Sequence, residues 1–257
     1  MTYCVAMVLD AGMIFASDSR TNAGVDQVAK FCKMRVFERP GDRVIGIVNS
    51  GNLSISQNAI NLLESRINAG ENAPAVLNVA SMFDVATLLG DCLRQVKSRD
   101  APYLAQSNVD ASASFLVGGQ IGAERPRLFH IYAEGNFIEA TPETPYFQIG
   151  ETKYGKPIID RVITRDTTLV DAAKCTLVSF DSTMRSNISV GLPIDLMVYE
   201  TNALKVTTRW HIEESDPYFN MIHTQWGDGL RRVFAQLPNP AWPGSNQQLL
   251  AQPGSVI

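Results

Sequence analysis

The 257 residues are 45% hydrophobic and 19% charged, with a net charge of -4. This is enough apolar material for one large core, whereas a mildly acidic chain without a Lys/Arg cluster is a poor candidate for nucleic-acid binding. No run of about 18 apolar residues is present, so no transmembrane helix is expected, and the N-terminal residues lack the pattern of a secretory signal.

The first part of the chain carries the pattern of four short strands. A buried apolar run over residues 3–9 is followed by the turn signal Asp10-Ala11-Gly12 and a returning strand, so the chain is predicted to open with a hairpin. The polar residues 19–30 are predicted to form a loop, and Pro40-Gly41-Asp42 a turn. The predicted strands are 3–9, 13–16, 34–38 and 44–49.

After the fourth predicted strand, the spacing of the apolar residues changes to that of a helix. Apolar residues recur at helical spacing from Leu53 to Ile67, with Ser54 or Ser56 as the expected cap and Gly70 as the expected end. The other predicted helices cover residues 79–93, 153–163 and 170–184.

Further strands are predicted on either side of the later helices, at 113–117, 128–132, 137–139, 147–150, 196–199 and 205–210. Gly118-Gly119 and Glu134-Gly135-Asn136 are the expected turns. Because helices and strands are grouped rather than alternating, the order favours antiparallel sheets with helices outside, an α+β fold. One domain is predicted over 1–237, followed by a Pro/Gly/Gln-rich extension over 238–257.

The cysteines and histidines show no metal-ligand spacing, so neither a metal site nor a cofactor is predicted. Scattered thiols predict reduced, buried cysteines in a cytoplasmic protein. The residues concerned are Cys4, Cys32, Cys92, Cys175, His130, His211 and His223.

Thr2 is a candidate nucleophile. Removal of Met1, which is usual before a small residue, would leave Thr2 with a hydroxyl and an α-amine on the same residue. Such an amine has a pKa of about 8, so part of it is neutral near pH 7 and able to accept a proton. Nucleophile and base then share one residue, although Met-Thr is by itself a common beginning.

The segment after the first hairpin adds weight to Thr2. Asp18-Ser19-Arg20 resembles the Asp-Ser-Arg segment of proteasome β-subunits, and Lys33 matches the family's catalytic lysine. Residues 147–161 and 182–191, and the opening Met-Thr-Tyr-Cys, resemble the bacterial Anbu family, the ancestral β-subunit. The resemblance implies an N-terminal nucleophile hydrolase with a four-layer αββα sandwich, two antiparallel sheets flanked by helices.

The resemblance also implies a role for each matched residue. Thr2 would attack an amide carbonyl, Lys33 would remain a cation beside it, and Asp18 would pair with Lys33. Gly51, after the fourth strand, would provide the backbone N–H of an oxyanion hole, while the alternative for Ser50-Gly51 is a plain strand-to-helix turn.

Three supporting positions are less regular. Gly150-Glu151-Thr152 stands where proteasome β-subunits have Gly-Ser-Gly, so Glu151 replaces a serine and could place negative charge near the site. The serine after the long helix is matched by Ser189 in preference to Ser186. Ser19, inside the Asp-Ser-Arg segment, is the third supporting candidate.

Other residues compete for these roles. Lys30 is a second lysine near Lys33, but its polar surroundings predict a solvated loop residue. Cys4 is expected to be a small buried strand residue rather than a catalytic thiol. His130 is expected to be a core or edge histidine. A Ser-His-Asp triad lacks the Gly-x-Ser-x-Gly elbow that would support it.

Three functions follow. The first is a threonine-type peptidase within a ring-like or spiral homo-oligomer, with Trp226 and Trp242 as candidate contact residues; whether an ATPase partner exists stays open. The second is an amidase for small peptides or γ-glutamyl amides, with Asn49 and Glu151 as polar positions near its pocket. The third is a catalytically silent shell subunit.

Overall fold

Two five-stranded antiparallel sheets lie face to face in the structure, a computed structural model that describes residues 2–22, 28–68 and 74–240. In spatial order the first sheet comprises β10 (Tyr146–Gly150), β1 (Tyr3–Leu9), β2 (Gly12–Asp18), β11 (Ile194–Glu200) and β12 (Thr208–Ile212). The second sheet comprises β5 (Met34–Arg39), β6 (Arg43–Gly51), β7 (Ala113–Ile121), β8 (Arg127–Ile131) and β9 (Phe137–Glu139).

Helices cover the outer face of each sheet. Helices α1 (Leu53–Ser65) and α2 (Met82–Gln106) share a buried apolar cluster with the second sheet. Helices α3 (Lys156–Val162), α4 (Leu169–Ser186) and α5 (Pro217–Gln236) share another with the first sheet, and a third cluster fills the space between the sheets. The layer order is αββα, which confirms the predicted α+β sandwich.

Strand β1 shows why the chain begins with a continuous apolar run. Tyr3 and Val5 pack toward the helices, whereas Cys4 and Ala6 pack between the sheets, and all four are fully buried. A strand covered on both faces carries apolar residues at every position. This strand places Thr2 at the edge of the core.

The predicted cap of α1 and both predicted ends of α2 were wrong. Asn52, not Ser54 or Ser56, caps α1, because its side chain accepts hydrogen bonds from the backbone N–H groups of Ser54 and Ile55. Helix α2 starts later and ends later than predicted, and is capped by a reciprocal pair between Ser81 and Asp84. Its second half is largely exposed, so apolar periodicity could not reveal it. Helix α1 is followed by a 3-10 turn over Arg66–Asn68, and Gly70 lies outside the described residues.

The predicted turn at Gly118-Gly119 was also wrong, because both residues lie inside β7. A Cβ on Gly119 would lie 1.9 Å from the carbonyl oxygen of Val44 on β6. These glycines therefore permit a close approach of two backbones rather than a change of direction. The chain turns after β7, at Gly122.

Segments 19–30 and 217–236 contain structure that the pattern did not predict. Two short strands, β3 (Arg20–Asn22) and β4 (Val28–Lys30), pair within the predicted loop. Helix α5 was missed, although Asp216 caps it and Pro217 opens it, a usual start signal. The boundary between residues 237 and 238 stays a prediction, and Trp242 lies outside the described residues. Among the helices described, none combines the length and apolarity needed to cross a membrane.

Candidate active site

Asp18 and Lys33 form a buried ion pair where two strands meet. Asp18 ends β2 and Lys33 directly precedes β5. The Nζ atom of Lys33 lies 2.8 Å from Oδ1 of Asp18, and the side chains are 4% and 0% exposed. Nζ also donates to the backbone carbonyl of Arg20. The ammonium is thus fixed by two acceptors, as charge at a site shielded from water requires.

Burial dominates the electrostatics of Asp18. Loss of solvation raises the pKa of its carboxyl group above the usual range, and the nearby Lys33 ammonium opposes that rise only in part. Its Oδ2 atom is buried without a hydrogen-bond partner among the described residues. Lys33 and, to a smaller extent, the backbone N–H of Tyr3 therefore favour the ionised form of Asp18.

Tyr3, the residue after Thr2, connects Thr2 to this ion pair. The backbone N–H of Tyr3 donates to Oδ1 of Asp18 at 3.0 Å, the oxygen that also accepts from Lys33. On the other side of β1, the N–H of Glu151 donates to the carbonyl oxygen of Thr2 at 2.7 Å. Thr2 itself is buried, and it directly precedes β1, which pairs with both β10 and β2.

Asn49 fixes the backbone of Lys33 from the opposite side. Its N–H and its side-chain Nδ2 both donate to the carbonyl oxygen of Lys33, at 3.1 and 3.0 Å. The thiol of Cys4 donates to the carbonyl of Asn49 at 3.3 Å. Burial raises the pKa of Cys4, so the thiol keeps its proton. Asn49 therefore links β6, on which it lies, to β1 and to the start of β5. The sequence predicted only that Asn49 lies near the pocket and did not reveal these contacts.

Gly51 ends β6 immediately before the cap of α1. Its φ is +98°, and a Cβ there would lie 2.3 Å from the carbonyl oxygen of Ser112. Only glycine combines this backbone conformation with so close a neighbour. The position is a strand-to-helix turn, as both interpretations of the sequence required.

Glu151 and Ser189 are connected through Asn187, the residue that directly follows α4 as its C-terminal cap. Nδ2 of Asn187 donates to Oε2 of Glu151 at 3.0 Å, and the N–H of Ser189 donates to Oδ1 of Asn187 at 2.9 Å. The Glu151 side chain is therefore held by a neutral amide. Asn187 was not a sequence candidate, although asparagine after a helix is a common end signal. Ser186 is exposed at the end of α4.

Ser19 does not point to the ion pair. Its Oγ donates to Oδ2 of Asp195 at 2.9 Å, and Asp195 also binds Nδ1 of His211 at 2.6 Å. A hydrolytic triad needs the histidine between serine and carboxylate, whereas here the carboxylate lies between them. The sequence signal for Asp195 was a lone carboxylate between two apolar strand residues.

The remaining candidates lie elsewhere. Lys30 is exposed on β4 and lines a cavity of about 400 Å³ with Arg20 and the acidic pair Glu213-Glu214. His130 is half-buried in β8, where burial lowers its pKa. His223 binds Asp181 at 2.5 Å, between α5 and α4. Trp226 is partly buried against the core of the first sheet.

Solved structures similar to this chain identify its family. The Anbu (ancestral beta-subunit) from Yersinia bercovieri is 50% identical, and the match covers 94% of this chain and 100% of that one with a TM-score of 0.88. This chain belongs to the Anbu family of bacterial proteasome homologues.

Two other Anbu structures support the same conclusion. The helical assembly of the Anbu complex from Pseudomonas aeruginosa is 49% identical, with 95% of this chain and 100% of that one covered and a TM-score of 0.89. Anbu from Hyphomicrobium sp. strain MC1 is 44% identical, with coverages of 92% and 98% and a TM-score of 0.85. A scan against protein-family models and a search of the curated proteins found no match. The chain is a proteasome-related protein.

Proposed function

We propose that this protein is a threonine-type amide hydrolase that uses Thr2 as its nucleophile once Met1 is removed. The observation that carries the proposal is the buried Lys33–Asp18 pair, whose carboxylate is hydrogen-bonded to the backbone directly after Thr2. A buried cation whose carboxylate partner binds the first residue of β1, directly after Thr2, suits an N-terminal nucleophile.

The proposed reaction has two halves. The Oγ of Thr2 attacks the amide carbonyl carbon while the α-amine of Thr2 accepts the hydroxyl proton, directly or through water. The amine then gives this proton to the leaving nitrogen as the C–N bond breaks, which leaves an ester on Thr2. Water hydrolyses the ester and restores the hydroxyl. The Lys33 cation disfavours protonation of the amine and stabilises the developing alkoxide.

Gly51 completes this proposal. Its backbone N–H is the proposed donor to the oxyanion of the tetrahedral intermediate, in line with its position directly before Asn52, the cap of α1. Glu151 and Ser189, joined through Asn187, are proposed to support the N-terminus rather than to react.

Self-association is part of the proposal. The structure of the P. aeruginosa relative is described as a helical assembly. Four large apolar side chains at helical spacing near the end of α5 are exposed in this chain: Leu230, Val233, Phe234 and Leu237. Such a stripe favours burial against another subunit.

Intact mass spectrometry after treatment with a β-lactone tests the nucleophile. Protein that has lost Met1 should gain one adduct, and Thr2→Ala should gain none while remaining folded. Lys33→Ala should lose most of the adduct, whereas Lys30→Ala, an exposed lysine, should react as the wild type does. A processed, folded wild type that forms no adduct and turns over no amide would support a silent shell subunit.

A substrate panel separates the two enzymatic alternatives. Fluorogenic peptides and γ-glutamyl anilides share the scissile amide but differ in length and charge. Turnover of the peptides with Thr2→Ala as the blank supports the peptidase, and exclusive turnover of the glutamyl compounds supports the small-molecule amidase.

A further inference from the structure

The carboxylate of Asp195 is in contact with three side chains that can donate hydrogen bonds, each from a different segment of the chain. Its Oδ2 accepts from Oγ of Ser19 at 2.9 Å, and its Oδ1 lies 2.6 Å from Nδ1 of His211. The thiol of Cys32 lies 3.5 Å from Oδ2 and 3.2 Å from the carbonyl oxygen of Met34, so the two acceptors share its one proton. A carboxylate can accept several hydrogen bonds in this way. Asp195 therefore connects β11, β12 and the two segments that lead into and out of the β3–β4 hairpin.

Two of these donors are direct sequence neighbours of the ion pair. Ser19 follows Asp18, and Cys32 precedes Lys33. The backbone ties the same segments together, because the N–H of Phe31 donates to the carbonyl of Ser19 at 2.9 Å. A shift of Ser19 or Cys32 away from Asp195 would change the distance between Asp18 and Lys33.

We infer that Asp195 is a positioning residue for the nucleophile's ion pair: by binding Ser19 and Cys32 it sets the separation of Asp18 and Lys33, and His211 orients its carboxylate. The catalytic role given to Asp195 rests on the proposed function. The geometry around Asp195 does not depend on that function. Asp195 does not act on the substrate itself.

The chemistry of the donors agrees with this. The prediction of buried cysteines was wrong for Cys32, which is exposed. Partial desolvation raises the pKa of its thiol, and Asp195 beside it raises the pKa further, so the thiol stays protonated. Asp195 lines a groove of about 470 Å³ between the edges of the two sheets, together with Cys32, Met34, Trp210 and His211. In this groove water would compete with the protein donors if the carboxylate of Asp195 were mobile. The contact with His211 therefore helps to keep that carboxylate in one orientation.

Kinetics of the Asp195→Ala and Asp195→Asn variants test the inference. A displacement of about 1 Å in a catalytic group can slow a reaction about a hundredfold. We expect Asp195→Ala to lower kcat at least about tenfold on the best substrate of the panel, with KM within about twofold. Asp195→Asn keeps one acceptor oxygen and should lose less. The matched control is Asp181→Asn, which removes the carboxylate of the other Asp–His pair, between α4 and α5.

Double variants separate positioning from a general loss of stability. Ser19→Ala and Cys32→Ala should each lower kcat in the wild-type background and change little in the Asp195→Ala background, because the interaction is already absent. His211→Asn, which keeps a donor near Nδ1, should be milder than His211→Ala. Losses that simply add in the double variants would overturn the inference.

Crystal structures distinguish failure of the inference from failure of the proposed function. In Asp195→Ala, or in Asp195→Asn if the former does not fold, the Lys33 Nζ to Asp18 Oδ1 distance should exceed the 2.8 Å of the wild type. A wild type that forms no adduct refutes the hydrolase, and the distance then decides the inference by itself. An unchanged distance in the variant overturns it, whatever the activity.

Discussion

Gly150 is the residue on which the position of Thr2 depends most directly. Its φ is +84°, and a Cβ there would lie 1.9 Å from the carbonyl oxygen of Thr2. Gly150→Ala should therefore displace Thr2, lower the rate of β-lactone labelling at least about tenfold and destabilise the fold by more than the about 1–3 kcal/mol typical of backbone strain. Labelling rates and urea denaturation measure the two effects.

Gly41→Ala is the matched control for this substitution. Gly41 has nearly the same φ, +81°, in the turn between β5 and β6, but apart from its two chain neighbours no described heavy atom lies within 4 Å of the position of its Cβ. The control should lose stability through backbone strain alone and label at the wild-type rate. Equal labelling of both variants would show that contact with Gly150 does not position Thr2.

Asp18 should make stability depend on pH in an unusual direction. Because burial raises its pKa, the folded state holds the proton more tightly than the unfolded state does. As pH rises from the ordinary carboxyl range through the raised pKa, ionisation therefore costs the folded state stability. The melting temperature of the wild type should fall relative to that of Asp18→Asn over this window. A difference that stays constant with pH would contradict the raised pKa.

Residues of the site differed in how well the sequence predicted them. Asp18 and Lys33 were predicted because they belong to short segments that resemble a known family, and the structure pairs them. Asp195 and Asn187 were not, because their partners Ser19 and Glu151 come from distant parts of the chain. A hydrogen bond between residues far apart in sequence leaves no local pattern.

At the scale of the elements, the cap of α1 connects helix stability with the site. Asn52 accepts from two backbone N–H groups of α1 and directly follows Gly51. Asn52→Ala should cost about 1 kcal/mol in the free energy of unfolding and should also slow turnover, because the backbone at Gly51 is no longer fixed. Chemical denaturation and steady-state kinetics give the two values.

Thr168→Ala provides the comparison for the cap. Thr168 caps α4 through a hydrogen bond from the N–H of Asp171, away from the Asp18–Lys33 pair. The Thr168→Ala variant should lose a similar amount of stability to Asn52→Ala and keep the wild-type turnover. If both variants lose turnover equally, the effect at Asn52 reflects general destabilisation and not the position of Gly51.

Elements were predicted well where burial on both faces gives a continuous apolar run, as in β1, whose bounds match the prediction. They were predicted poorly where glycines serve close packing, as at Gly118 and Gly119, or where the helix face is mostly exposed, as in α5. At the glycines tertiary contacts, not local preference, decide the conformation. Helix α5 instead carries local start signals, Asp216 and Pro217, which a search for apolar periodicity does not use.

At the scale of the molecule, the four layers leave α5 with one side uncovered. Phe219 and Ile222 near its start are buried against the first sheet, whereas the stripe of Leu230, Val233, Phe234 and Leu237 is exposed, Phe234 by 76%. Complete burial of a fully exposed side chain of this size is worth about 1.5–3 kcal/mol, so the partly exposed side chains of the stripe would each contribute less. We therefore expect the stripe to take part in self-association.

Charge placed on the stripe should separate the subunits. Val233→Glu with Phe234→Glu would bury two unpaired carboxylates in the interface, at a cost greater than the lost apolar contact. We expect the double variant to sediment as a smaller species than the wild type, with an unchanged near-UV circular dichroism spectrum. Tyr103→Glu, on an exposed position of α2 over the opposite sheet, should sediment as the wild type does. Identical sedimentation of wild type and double variant would exclude the stripe as the contact surface.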